Sequence, residues 1–192
     1  MSYGKRSTAT DSYLHLVILF SNTITHRLSY ITDFIGKEIT GKPLYVTNDV
    51  EEFKNFNGPK INYSPERIAE YECWIQPHLL LFEKGIKQQS IACFEVNGNK
   101  AFFKTGGDFP FDILAASFYL LSRYEEYLPH QKDMYGRYGH ENSLAFREDF
   151  LNTPLINKWI QWFGEALQQK FPLFTAVCSP FIFLPTYDID EA

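Results

Sequence analysis

The apolar run at residues 14–20 and the segment after it constrain the fold more than any other feature of this 192-residue chain. Leu14, Leu16, Val17, Ile18, Leu19 and Phe20 form a short, nearly continuous apolar stretch, as expected of a strand buried on both faces. Ser21, Asn22 and Thr23 follow, all side chains suited to capping a helix N-terminus. Ile24, Leu28, Ile31, Phe34, Ile35 and Ile39 then recur at helical spacing, with Gly41 as a stop and Pro43 beyond it. Leu44, Tyr45, Val46 and Thr47 read as a second strand. A strand, a crossover helix and a strand favour a parallel pair.

Between 50 and 87 the pattern weakens. Asn57-Gly58-Pro59 marks a turn. Short strands are expected over 60–63 and 73–75, and the apolar run 79–82 fits either helix or strand. The runs 91–96 and 101–103 around Asn97-Gly98-Asn99 predict a hairpin, because Asn-Gly takes positive φ at low cost. Pro110-Phe111-Asp112 opens a helix expected over 113–128, apolar on nearly all sides until Ser122 and therefore deeply buried. A loop rich in Tyr, Gly and His is expected over 129–142. Pro154 starts a further helix, with Leu155, Ile156, Trp159, Ile160, Phe163 and Leu167 on one stripe and an end near Lys170. A last strand is expected over 180–184. The fold class is α/β: a small, mostly parallel or mixed sheet opened by a βαβ unit, with a β-hairpin and two long helices packed on it.

The charge is −5 and no basic stripe stands out, so nucleic acid is not expected as a partner. No apolar run reaches membrane-spanning length, and the N-terminus lacks a signal-peptide core. The expectation is a cytoplasmic protein without a membrane partner. Cys73, Cys93 and Cys178 are widely spaced and read as buried free thiols. The turn after the first strand holds no glycine, and neither nucleotide-loop glycine pattern occurs, so capping is preferred there over cofactor binding.

The residues that carry a family likeness lie in the second half. Phe181-Ile182-Phe183-Leu184-Pro185-Thr186-Tyr187-Asp188-Ile189-Asp190 resembles the first motif of the polysaccharide deacetylases (carbohydrate esterase family four), in which an apolar strand delivers acidic residues to a metal site. The segment from Phe109-Pro110-Phe111-Asp112 to Ser122-Arg123-Tyr124-Glu125-Glu126-Tyr127 is similar to an uncharacterised domain that precedes the deacetylase domain in Bacteroidetes-type proteins. Asp133-Met134-Tyr135-Gly136-Arg137-Tyr138 and the helix start at Pro154 are similar to it too. The resemblance covers most of residues 14–190 and is most specific from Phe109 onward.

The resemblance implies that Asp188 is a general base and Asp190 a metal ligand, both only in a longer parent protein that also holds a divalent metal. The histidines at 15, 26, 78, 130 and 140 include no pair four residues apart, so the paired imidazoles of such a centre are missing and no cofactor is expected in this chain. The implied organisation is a frayed segment over 1–12, an accessory α/β domain over 13–180, and over 181–192 the first strand and motif of a deacetylase-like domain. The expected role is non-catalytic: an accessory domain that docks in cis against that catalytic domain.

Two other roles stay open. Arg123, Glu125, Glu126, Asp133 and Arg137 are the one dense charged cluster, set among Tyr124, Tyr127, Tyr135 and Tyr138. They could form a pocket, an interface, or the centre of a small stand-alone hydrolase; a salt-bridged helix end that pins the next loop is the simpler reading. The aromatic content of 17% also raises a carbohydrate-binding module with a glycan partner, although core packing accounts for most of it. His130 and His140 read as exposed loop residues.

Overall fold

A computed structural model describes residues 16–177 and 183–187. Strands β1 (Ile18–Phe20), β2 (Tyr45–Thr47), β3 (Lys60–Asn62) and β4 (Cys73–Trp74) form a wholly parallel sheet in the order β2-β1-β3-β4. β1 is central, and alternation along it decides the layers. Leu19 joins the main core beneath helix α1 (His26–Thr40), while Ile18 and Phe20 pack on the other face with Phe53 of helix α2 (Val50–Asn55). The hairpin of β5 (Phe94–Val96) and β6 (Asn99–Ala101) turns at Asn97 and Gly98, both at positive φ, as a tight two-residue turn requires.

Helices α3 (Ile113–Leu121) and α5 (Leu155–Lys170) pack against α1, and α5 also against β6. Aromatic rings weld this half together. The Trp159 ring lies 5.1 Å from Phe111 and 5.7 Å from Phe102, and its indole N–H donates to the Lys100 carbonyl at 2.9 Å. The aromatic richness of the sequence is thus spent largely on the core. Gly36 allows the close return of the chain after α1, since a Cβ there would stand 2.3 Å from the Leu44 nitrogen.

Several sequence expectations need revision. α1 is capped by Thr25, whose hydroxyl accepts from Leu28 N–H, and not by residues 21–23; Ile24 lies outside the helix and is exposed. Thr25 and Arg27 also donate to the Leu81 and Leu80 carbonyls, which holds the 3-10 turn Leu79–Leu81 over that helix end. Short α2 and α4 (Leu144–Arg147) were not expected. The helix foreseen over 113–128 stops at Leu121: Arg123 takes φ 53°, and a separate 3-10 turn spans Tyr124–Tyr127. The cause is tertiary. Tyr124 turns into the core at 1% exposure, and its hydroxyl meets the backbone of Lys87. Of the strand expected over 180–184, Phe183 and Leu184 are described; they carry no regular secondary structure and are exposed.

Candidate functional site

Three concave regions can be built from the elements above. At the C-terminal ends of β1 and β3, where the strand order reverses and parallel sheets commonly bind ligands, a cavity of about 240 Å³ lies between residues 21–23, Tyr63, Pro65 and the 76–82 segment. Its floor is locked. Asp112, the N-cap of α3, accepts from the Tyr63 hydroxyl at 2.6 Å, from His78 N–H at 2.7 Å and from Ala115 N–H at 2.9 Å. Burial raises the Asp112 carboxyl to about 6 against these three donors.

At the opposite end of the sheet an apolar groove of about 580 Å³ runs between the 56–60 turn, Tyr71 and the exit of α5 at 170–174. Leu173 is 86% exposed on it and Tyr71 72%. Asp108 ties the groove's flank together. It accepts from Arg67, from Lys170 at 2.7 Å and from Trp74 N–H at 3.0 Å. Its partial burial works upward, but these donors win and hold it at about 2.

The third region contains part of the charged cluster expected from sequence, and the structure divides that cluster. Arg123 pairs with Glu126 in the exposed 3-10 turn. Asp133 pairs with Arg137 at 3.2 Å within the following turn, where it also accepts from the backbone N–H of Tyr135 and Arg137. Glu125 alone turns inward. One of its oxygens accepts from Leu144 N–H at 2.8 Å at the start of α4 and stands 3.7 Å from Arg147. The five residues therefore do not converge, and the reading of a pinned helix end describes Glu125.

Glu125 does face a polar cavity of about 240 Å³, shared with Tyr119, His130, Tyr138, Glu141 and Arg147. Burial pushes the Glu125 carboxyl above its usual range, and it raises the Tyr119 phenol as well. His130 is half-buried and not the exposed loop residue expected; its Nδ1 lies 2.8 Å from the Leu128 carbonyl, an acceptor to which that nitrogen can donate. His140 is exposed. The Tyr138 hydroxyl is buried without a hydrogen-bond partner. Sequence reasoning missed Tyr119 and Arg147, because α3 and α4 bring them to Glu125 only through the fold.

Asp188 and Asp190 lie outside the described residues, as does Cys178. Among the described residues no group of three His, Cys, Asp or Glu side chains gathers as a metal centre would need. The donor set of this chain, without two histidines four residues apart, does not fit the metal centre that the deacetylase resemblance implies. Cys73 is buried and Cys93 half-buried, and both are free thiols. Among the described residues no helix is long and apolar enough to cross a membrane.

A four-stranded parallel sheet with helices on both faces and a separate hairpin defines an α/β domain. Residues 17–172 match a family of unknown function, DUF7033, and the chain belongs to that family. No curated protein and no solved structure was found to match it.

Proposed function

We propose that this is a non-catalytic accessory domain that docks in cis against a deacetylase-like catalytic domain. The observation that carries the reading is the apolar groove at the exit of α5, where Leu173, three residues beyond that helix, is 86% exposed. Apolar side chains so placed gain by being covered. A domain tethered a few residues further on would meet the groove at high effective concentration. Phe183, Leu184 and Tyr187 support the same reading, since these large apolar side chains find no core in this domain. The likeness of residues 181–190 to the first deacetylase motif gives the tethered domain its class, with Asp188 as its base and Asp190 as its metal ligand.

The coding sequence after Ala192 is the first test. A domain with two histidines four residues apart is expected, and its absence overturns the reading. In such a longer protein, Leu173→Glu should leave this domain's melting temperature unchanged, because the side chain contributes little to the isolated core. It should also expose the inter-domain segment to limited proteolysis. An unchanged digestion pattern would count against the groove as the docking face.

A further inference from the structure

We infer that the cleft beyond the carboxyl ends of β1, β3 and β4 binds a small uncharged molecule with a flat apolar face and a hydrogen-bonding edge, such as an aromatic amide or a heterocyclic base. Its lining comes from residues that closely follow those three strands: 21–23 after β1, Tyr63 and Pro65 after β3, and the 76–82 segment after β4. β2 lies on one side of β1, and β3 and β4 lie on the other. The connections therefore leave β1 and β3 in opposite directions and open a crevice between them, the place where parallel α/β sheets collect their ligands. Residues 21–23 are not spent on capping α1, since Thr25 makes that cap.

The walls are fixed by contacts from outside the cleft. The Tyr63 hydroxyl and His78 N–H donate to the buried Asp112, and Arg27 and Thr25 hold the Leu80 and Leu81 carbonyls. Gln76 accepts from Gly106 N–H at 2.8 Å and donates its own N–H to the Gly106 carbonyl at 3.2 Å. A site held in shape in this way spends less ordering entropy on binding. The lining selects the class. Tyr63, Pro65, Pro77, Leu79 and Phe82 supply apolar surface, with the Tyr63 and Phe82 rings stacked at 5.8 Å. Ser21, Asn22, Thr23 and Gln76 supply hydroxyl and amide groups, which both donate and accept. Among the described residues no charged side chain lines the cleft, so an ion entering it would lose hydration without gaining a counter-charge. The turn after β1 also lacks the glycines that bring a backbone close to phosphate. A volume of about 240 Å³ falls below that of common drug-sized ligand sites and limits the occupant to a single ring with its substituents.

This cleft is independent of the docking groove, which lies at the opposite end of the sheet and shares no residue with it. The test is a titration of the purified chain followed by the NMR shifts of its backbone amides, with nicotinamide and uracil as probes and acetate, inorganic phosphate and D-glucose as counter-probes. At least one of the two probes should saturate and move the amides of 21–23 and 76–82. Leu79 is 69% exposed on the rim, so Leu79→Ala should melt with the parent yet bind about fivefold more weakly, the loss of part of one apolar wall. Leu173→Ala, in the groove, should bind as the parent does. Absence of binding by both probes overturns the inference, and so do shifts gathered around 56–60 and 170–174. It is overturned equally by a preference for any counter-probe, or by full binding in Leu79→Ala.

Discussion

The two ends of α3 each carry a carboxylate, and they are built to opposite specifications. At the N-terminus Asp112 is sealed from solvent and takes hydrogen bonds from Tyr63, His78 and Ala115, which belong to three parts of the chain. Beyond the C-terminus Glu125 is half-buried, takes one backbone N–H and lines a polar cavity. A buried acid saturated by donors joins elements, and the geometry around it is closed. One with a single backbone donor, at the wall of a polar cavity, ties only the start of α4 to its own turn. Asp112 carries a local capping signature and Glu125 none, yet only their surroundings show how firmly each is held.

The strongest challenge to this contrast is removal of the sealed carboxylate. Asp112→Ala leaves a phenol and two backbone N–H groups buried without acceptors and should cost on the order of 4 kcal/mol, enough to unfold much of a marginally stable domain. Denaturant titration of the variant measures it. A loss below about 1 kcal/mol would mean that the network does not join the sheet to α3.

The second prediction uses pH. Burial raises the folded Asp112 carboxyl to about 6, above the usual value of 3.8. The folded state therefore holds the proton more tightly than the unfolded state. The stability that Asp112 contributes is fully present below the ordinary value and is lost as pH rises through about 6, a change of about 3 kcal/mol. Asp112→Asn cannot ionise, so the pH dependence of its unfolding free energy should lack this fall between pH 4 and 7. Parallel profiles for the two proteins would show that the three donors hold the carboxylate ionised throughout.

At the other end, Glu125→Gln should cost only about 1 kcal/mol, because the amide oxygen still accepts from Leu144 N–H. Chemical denaturation reads this, and an effect as large as that of Asp112→Ala would place Glu125 among the joining groups.

How far the contrast could be read from the residues depends on the range of the forces involved. Asp112 is recognisable as a cap because Pro110-Phe111-Asp112 precedes an apolar run, and capping acts over three residues. The β1-α1-β2 unit is legible for the same reason, since its period and its Gly41 stop are local. By contrast α2 buries only Phe53, too little to show a period, although Asp49 followed by Glu51 and Glu52 is the signature of a helix start. The end of α3 has no sequence signal. No glycine stands at Arg123, and the break comes from the burial of Tyr124 against the distant Lys87 backbone. The polar cavity is the least legible feature, because Tyr119, Glu125, His130 and Arg147 come from four separate segments.

The smallest effect is the one that tests why α3 stops where it does. Arg123 sits at φ 53°, a conformation that costs a non-glycine residue about 1 kcal/mol, and its ion pair with Glu126 lies at the surface with the arginine side chain 73% exposed. Such a pair contributes between zero and about 1 kcal/mol. Arg123→Ala keeps the backbone cost and loses the pair, so stability should fall slightly. Arg123→Gly loses the same pair but relieves the backbone, and it should be at least as stable as the parent. The two substitutions thus move in opposite directions if Tyr124 burial alone bends the chain. Equal losses in both, measured by thermal unfolding, would instead assign the turn to the arginine side chain, and the exposed part of the charged cluster would then hold the helix end in place of Tyr124.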